Sequence, residues 1–136
     1  MRLRIQRRTE LALRALRLLE ADGATMTAAG LASPLDSSPQ YLPQVLGPLV
    51  HAGWLVSEPG PTGGYRLTIS LASVSILDLI ELIEGPTIDG ACVLRDQPCA
   101  DDPCAVHVPW VAARQALLDE LAAVPVSEEA ESIGVV

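Results

Sequence analysis

The sequence predicts a mainly α-helical fold with one small β-hairpin. Apolar residues recur at helical spacing in five separate stretches, and strict alternation appears once, in Tyr65-Arg66-Leu67-Thr68-Ile69, after a turn rich in Gly and Pro. At 136 residues the chain suffices for one domain with its own core.

The elements follow in order. Residues 8–21 form an amphipathic helix through Leu11, Ala15, Leu18 and Leu19, and Asp22-Gly23 stops it. Thr27 caps a short second helix that Pro34 is expected to end near Ser33. Ser37 or Ser38 caps a third, with Pro39 at its first position, where a missing N–H costs nothing. Tyr41, Leu42, Val45, Leu46, Leu49 and Val50 give this helix its apolar side, and Pro48 is expected to kink or shorten it. Trp54–Glu58 and Tyr65–Ile69 are the two strands, joined through Pro59-Gly60-Pro61-Thr62-Gly63-Gly64. Ser73 caps a fourth helix over 73–84. Residues 85–107 form a loop rich in Gly, Pro, Asp and Cys. A last helix over 108–123 carries the stripe Trp110, Ala113, Leu117, Leu121 and Val124. An acidic tail over 125–136 is expected to fray. Three helices followed by a two-stranded wing is the winged helix-turn-helix order. The chain thus divides into residues 1–70, the winged helix-turn-helix, and 71–136, the cysteine loop and the last helix.

Charge is unevenly shared. The net charge is −8, and the basic residues are all arginine. Residues 1–66 hold 7 Arg against 5 acids, a net of +2, while residues 67–136 hold 2 Arg against 12 acids, a net of −10. The first half is suited to phosphates and the second to solvent or a partner. No apolar run reaches the roughly 18 residues of a membrane span, and the Arg-rich start lacks a secretory pattern. A cytoplasmic location without membrane contact is therefore expected. No nucleophile–base pair or nucleotide loop is evident, so an enzyme is not expected.

In a helix-turn-helix the second helix of the tight pair enters the major groove with its first residues at the base edges. Here those are Ser37, Ser38, Gln40 and Tyr41. Gln can bond adenine bidentately, and Ser and Tyr can reach bases or phosphates. The wing tip, Thr62, Gly63 and Gly64, can approach the DNA backbone, and Arg66 can touch phosphate. The same order of elements also serves protein-interaction modules.

The most specific local signal is Cys92-x6-Cys99-x4-Cys104-x2-His107. An odd number of cysteines in a reducing compartment argues against a disulfide framework. Three thiolates and an imidazole this close can enclose one metal centre. Zinc accepts three Cys and one His, and an iron–sulfur cluster accepts three Cys and one other ligand. The spacing, with one close pair only, is loose for zinc.

Taken together, Leu11-Ala12-Leu13-Arg14-Ala15-Leu16, Ser38-Pro39-Gln40-Tyr41-Leu42, Ala52-Gly53-Trp54-Leu55-Val56, Gly60–Leu67 and the cysteine loop resemble the Rrf2 (Rrf-two) family of bacterial regulators over nearly the whole chain. The resemblance implies a DNA-binding regulator that senses redox state, nitric oxide or iron–sulfur status. It implies a homodimer formed by the C-terminal helix, here through Trp110, Ala113, Leu117 and Leu121, on a pseudo-palindromic double-stranded operator. It implies a two-iron (2Fe–2S) or four-iron (4Fe–4S) cluster on Cys92, Cys99 and Cys104. The fourth ligand is either a histidine placed like His107 or an acid at the start of helix one, given by the partner, at the position of Glu10. The inner spacing of six and four departs from the five and five of the family's histidine-ligated pattern, and Gly47-Pro48 interrupts the recognition helix. Within the same fold, a zinc-binding or thiol-based redox regulator is the alternative reading; a small electron carrier is another, but it would leave the winged helix without a use.

Overall fold

A computed structural model describes residues 3–88, 90–95, 97–99 and 102–127. The order is α1 (Arg7–Asp22), α2 (Ala28–Leu35), α3 (Leu42–His51), β1 (Leu55–Glu58), β2 (Gly64–Leu67), a 3-10 turn (Leu71–Ser73), α4 (Ile76–Glu84) and α5 (His107–Ala123). The predicted fold class holds: the described residues form α-helices and one two-stranded antiparallel hairpin. Among the described residues no helix is long and apolar enough to cross a membrane.

Helix α1 buries one face through Leu11, Ala12, Ala15, Leu16 and Leu19, and Gly23 closes it in the left-handed region. Thr27 caps α2 by accepting from the Gly30 N–H at 3.0 Å. Pro34 does not end α2 as expected; the helix runs on to Leu35 and stops at Asp36, whose φ of 53° makes the sharp turn toward α3. Proline blocks the turn before itself, not the residue after it, so one more helical residue fits. The third helix begins later than the sequence suggests. Ser38 accepts from the Tyr41 N–H at 3.2 Å and holds a turn over residues 39–41, and α3 proper starts at Leu42. Pro48 lies inside α3, which continues to His51. Leu42, Val45, Leu46 and Leu49 bury α3 in the core and hold it through the missing bond.

In the hairpin Leu55 pairs with Leu67 and Ser57 with Tyr65. Tyr65 is buried and Arg66 exposed, so the predicted alternation holds. Met26 exchanges two backbone bonds with Tyr65, of 2.7 and 3.0 Å, which ties the wing to the start of α2. A side chain on Gly64 would sit 2.2 Å from the Met26 carbonyl oxygen, and its φ is 143°; both demand glycine.

The cap of α4 is Ser75, not Ser73. Ser75 accepts from the Asp78 N–H at 3.0 Å and its own N–H donates to the Asp78 carboxylate at 2.8 Å, a complete capping box. Ile76, Leu79 and Ile83 join the core of the first half, so one core runs across residue 70. The tail is not frayed at its start. Pro125 bridges Ser75, the Val126 N–H donates to the Val74 carbonyl at 2.9 Å, and Val126 is fully buried. Residues 128–136 of the expected tail lie outside the described residues.

Candidate metal centre and nucleic-acid interface

The loop after α4 brings the three cysteines together. The Sγ atoms of Cys92, Cys99 and Cys104 lie within 4.8 Å of one another, and Cys92 and Cys104 are 3.6 Å apart. All three are unbridged. Short turns do the gathering: the Cys92 N–H donates to the Gln97 carbonyl at 3.2 Å, and the Arg95 N–H to the Cys92 carbonyl at 3.3 Å. The Leu94 N–H points at the Cys92 sulfur from 3.3 Å. Hydrogen bonds from the Cys99 thiol, then from the Leu94 N–H, pull the Cys92 thiol down to about 7. Cys99 goes the other way. The Cys104 N–H draws it down, but the neighbouring Cys92 sulfur and burial outweigh that and leave it raised.

Neither proposed fourth ligand joins the three sulfurs within one chain; among the described residues the converging set is the three cysteines. His107 comes nearer. It is the first residue of α5, its N–H donates to the Cys104 carbonyl at 3.1 Å, and with Cys92 and Cys104 it lines a cavity of about 130 Å³. Glu10 sits in the first turn of α1 between Arg7 and Arg14, each 3.4 Å away. The donor set fits a soft metal centre: three thiols, one of them easily ionised, supplied with backbone N–H bonds and a dry wall at Cys99.

Helices α2 and α3 make the helix-turn-helix pair. Ser38, Gln40 and Tyr41 are exposed before α3, and Ser37 is half-buried. Sequence reasoning missed Gln44, exposed in the first turn of α3 just after Gln40 and Tyr41. Its signal was its place among the buried Leu42, Val45 and Leu46. Thr62 is exposed at the wing tip, but Gly63 is buried against the Glu58 and Pro59 carbonyls. The two glycines are therefore also required by the packing of the wing. Arg66 is not free: it donates from Nε and Nη2 to one Glu58 oxygen at 3.3 and 3.2 Å. Along α5 Leu118 alone of the described residues is buried, while Ala113 and Leu117 of the stripe are exposed and Trp110 and Leu121 half-buried.

Known proteins resemble this chain in sequence and in fold. The HTH-type transcriptional regulator YwgB of Bacillus subtilis is 37% identical over 62 residues, 46% of this chain and 40% of YwgB. BadM of Rhodopseudomonas palustris, another HTH-type transcriptional regulator, is 37% identical over 90 residues, 65% of this chain and 58% of BadM. The chain spans about half the length of the curated relatives it matches. Among solved structures, CymR of B. subtilis, described as its global cysteine regulator, superposes with a TM-score of 0.75 at 25% identity, covering 98% of this chain and 100% of CymR. IscR of T. potens superposes with a TM-score of 0.74 at 18% identity over 97% of this chain and 89% of IscR, which shows a shared fold. The family model for Rrf2, described as an iron-dependent transcriptional regulator, matches residues 5–130, and the protein belongs to the Rrf2 family of transcriptional regulators.

Proposed function

We propose that this regulator binds a double-stranded operator as a homodimer, and that an iron–sulfur cluster on Cys92, Cys99 and Cys104 sets its affinity. The observation that carries this reading is the convergence of the three sulfurs within 4.8 Å in a chain with a winged helix-turn-helix. Cys92, Cys99 and Cys104 would hold the cluster, and His107, which lines the same cavity as Cys92 and Cys104, would be the fourth donor from the same chain. Glu10 of the partner subunit is the competing donor, and its two carboxylate oxygens face Arg7 and Arg14. When bound, such a group supplies iron atoms open to oxidants or nitric oxide at the corner held without thiolate.

The chain's own residues would do the rest. Gln40, with Gln44 beside it, would read base edges, Ser37, Ser38 and Tyr41 would bond bases or phosphates, and Thr62 and Arg66 would meet the backbone. The reading implies no enzymatic activity and a place in the cytoplasm, where DNA and reduced thiols are found together. The test is a visible spectrum of protein purified without oxygen, with iron and sulfide counted, followed by operator binding before and after the cluster is removed. Charge-transfer absorption, stoichiometric iron and sulfide, and a changed affinity are expected. Stoichiometric zinc without sulfide would replace this reading with the zinc-binding one, and no metal with thiol-dependent binding would replace it with the thiol-based one.

A further inference from the structure

The first turn of α1 is capped from a distance. Its N-cap residue, Gln6, makes no side-chain cap. Instead Glu84, the last residue of α4, places Oε1 at the helix start, where it accepts from the Gln6 N–H at 2.8 Å and from the Thr9 hydroxyl at 2.5 Å. Thr9 is 1% exposed, so its hydroxyl must find a partner inside the protein. A carboxylate also suits the positive end of the helix dipole. The next residue, Gly85, has φ 94° and ψ 179°, and there the chain leaves α4 for the cysteine loop. Glu84 therefore adds a polar tie at the entrance of the loop to the apolar packing of α4 on α1, the helix that also packs on α2, α3 and β2.

We infer that Glu84 is a positioning residue that transmits the state of the cysteine loop to α1 and through it to the DNA-reading helices. The inference rests on the proposed cluster-dependent DNA binding. It supplies what a fourth ligand within the loop would lack, since His107 by itself orders only the loop and the start of α5. A loop drawn in around its three sulfurs fixes the chain from Gly85 onward. Glu84 is then fixed in register with Gln6 and Thr9, and α1 is held against α3. A relaxed loop lets the end of α4 and the first turn of α1 move.

The test compares wild type, E84A, E84Q and T9V as full-length proteins on a duplex selected from random sequence by the wild type. Each is measured without oxygen, cluster-loaded and cluster-free. Wild type should show a ratio of affinities in the ordinary range of allosteric coupling, about 5- to 150-fold. E84A should keep the visible spectrum and iron content of wild type while its ratio falls below about twofold. E84Q keeps an acceptor oxygen and should restore most of the ratio, and T9V, which loses one of the two bonds, should fall between. Amide exchange over residues 6–10 should slow on cluster loading in wild type and not in E84A. An E84A protein with the wild-type ratio overturns the inference, as does loss of the ratio together with the cluster spectrum. If E84A does not fold, a wild-type ratio in T9V overturns it. If wild type itself binds equally in both states, the proposed function fails first and takes this inference with it.

Discussion

Arg66 and Glu58 are both about half exposed, and such an ion pair is worth only about 0.2–1 kcal/mol. A DNA phosphate can therefore take Arg66 from Glu58, but the carboxylate remains nearby and repels it. Arg66→Ala should weaken operator and random DNA alike and reduce the salt slope by about 1, while Glu58→Gln should strengthen both; titrations at several salt concentrations measure this, and an unchanged slope in Arg66→Ala removes it from the interface. Gln40→Ala should instead cost about 1–3 kcal/mol on the preferred operator and little on random DNA. Equal losses on both would mean that Gln40 does not read bases. The sequence marks Gln40 and Arg66 as candidates but hides Glu58, because pairing across a hairpin depends on register and not on chain distance. The cysteines are a similar case. Their spacing shows that they can meet, but not which thiol ionises first. In cluster-free protein Cys92 should become alkylated as pH rises through about 7, where its thiolate forms, whereas Cys99, shifted upward, should need a higher pH. Mass mapping after brief iodoacetamide treatment at pH 6, 7 and 8 reads both, and a Cys99 that reacts first refutes this order.

At the scale of elements, the helices were legible wherever apolar periodicity is long, as in α1, and uncertain wherever two signals compete. Ser73 and Ser75 both precede the apolar run of α4. The decisive feature is Asp78, three residues after Ser75, which completes the capping box. Ser75→Ala should therefore cost about 0.5–2 kcal/mol in urea unfolding, and Ser73→Ala less than about 0.5; similar losses at both sites would deny the cap its role. Pro48 misleads in the other direction. Local chemistry says that it breaks a helix, yet four buried side chains of α3 hold the segment helical to His51. Burial of that kind depends on distant residues and cannot be read from a window around the proline. The same holds for the tail, where Val126 enters a core built from residues far earlier in the chain. The carboxylate of Glu84 at the start of α1 is the extreme case, joining residues 75 or more positions apart.

At the scale of the whole molecule, α5 poses a problem that one chain cannot solve. Leu118 is 5% exposed, but Leu117 beside it is 45% exposed and Val108 73%. Leu3, Val93, Trp110, Ala113 and Leu117 also line an apolar cavity of about 500 Å³. Of the stripe recognised in the sequence, Trp110, Ala113 and Leu117 lie on this apolar surface, the kind that interaction sites use, while Leu121 packs against the chain's own core. What the sequence leaves open is the partner, and with it the fourth ligand, because Glu10 can reach the cysteines of another chain only if the assembly brings α1 there. We expect two copies to bury α5 against α5 about a two-fold axis, which would set two recognition surfaces one DNA turn, about 34–36 Å, apart. Leu117→Asp would place a charge in that seam and leave the intrachain core alone. It should yield a folded monomer, by sedimentation at micromolar concentration, that retains most of its melting temperature and binds a two-half-site operator poorly. Leu118→Ala is the control, since that side chain packs inside its own chain: it should lower stability by about 2–5 kcal/mol while the folded fraction remains dimeric. A wild-type protein that sediments as a monomer at that concentration, or a Leu117→Asp protein that remains a dimer, would show that some other surface covers α5.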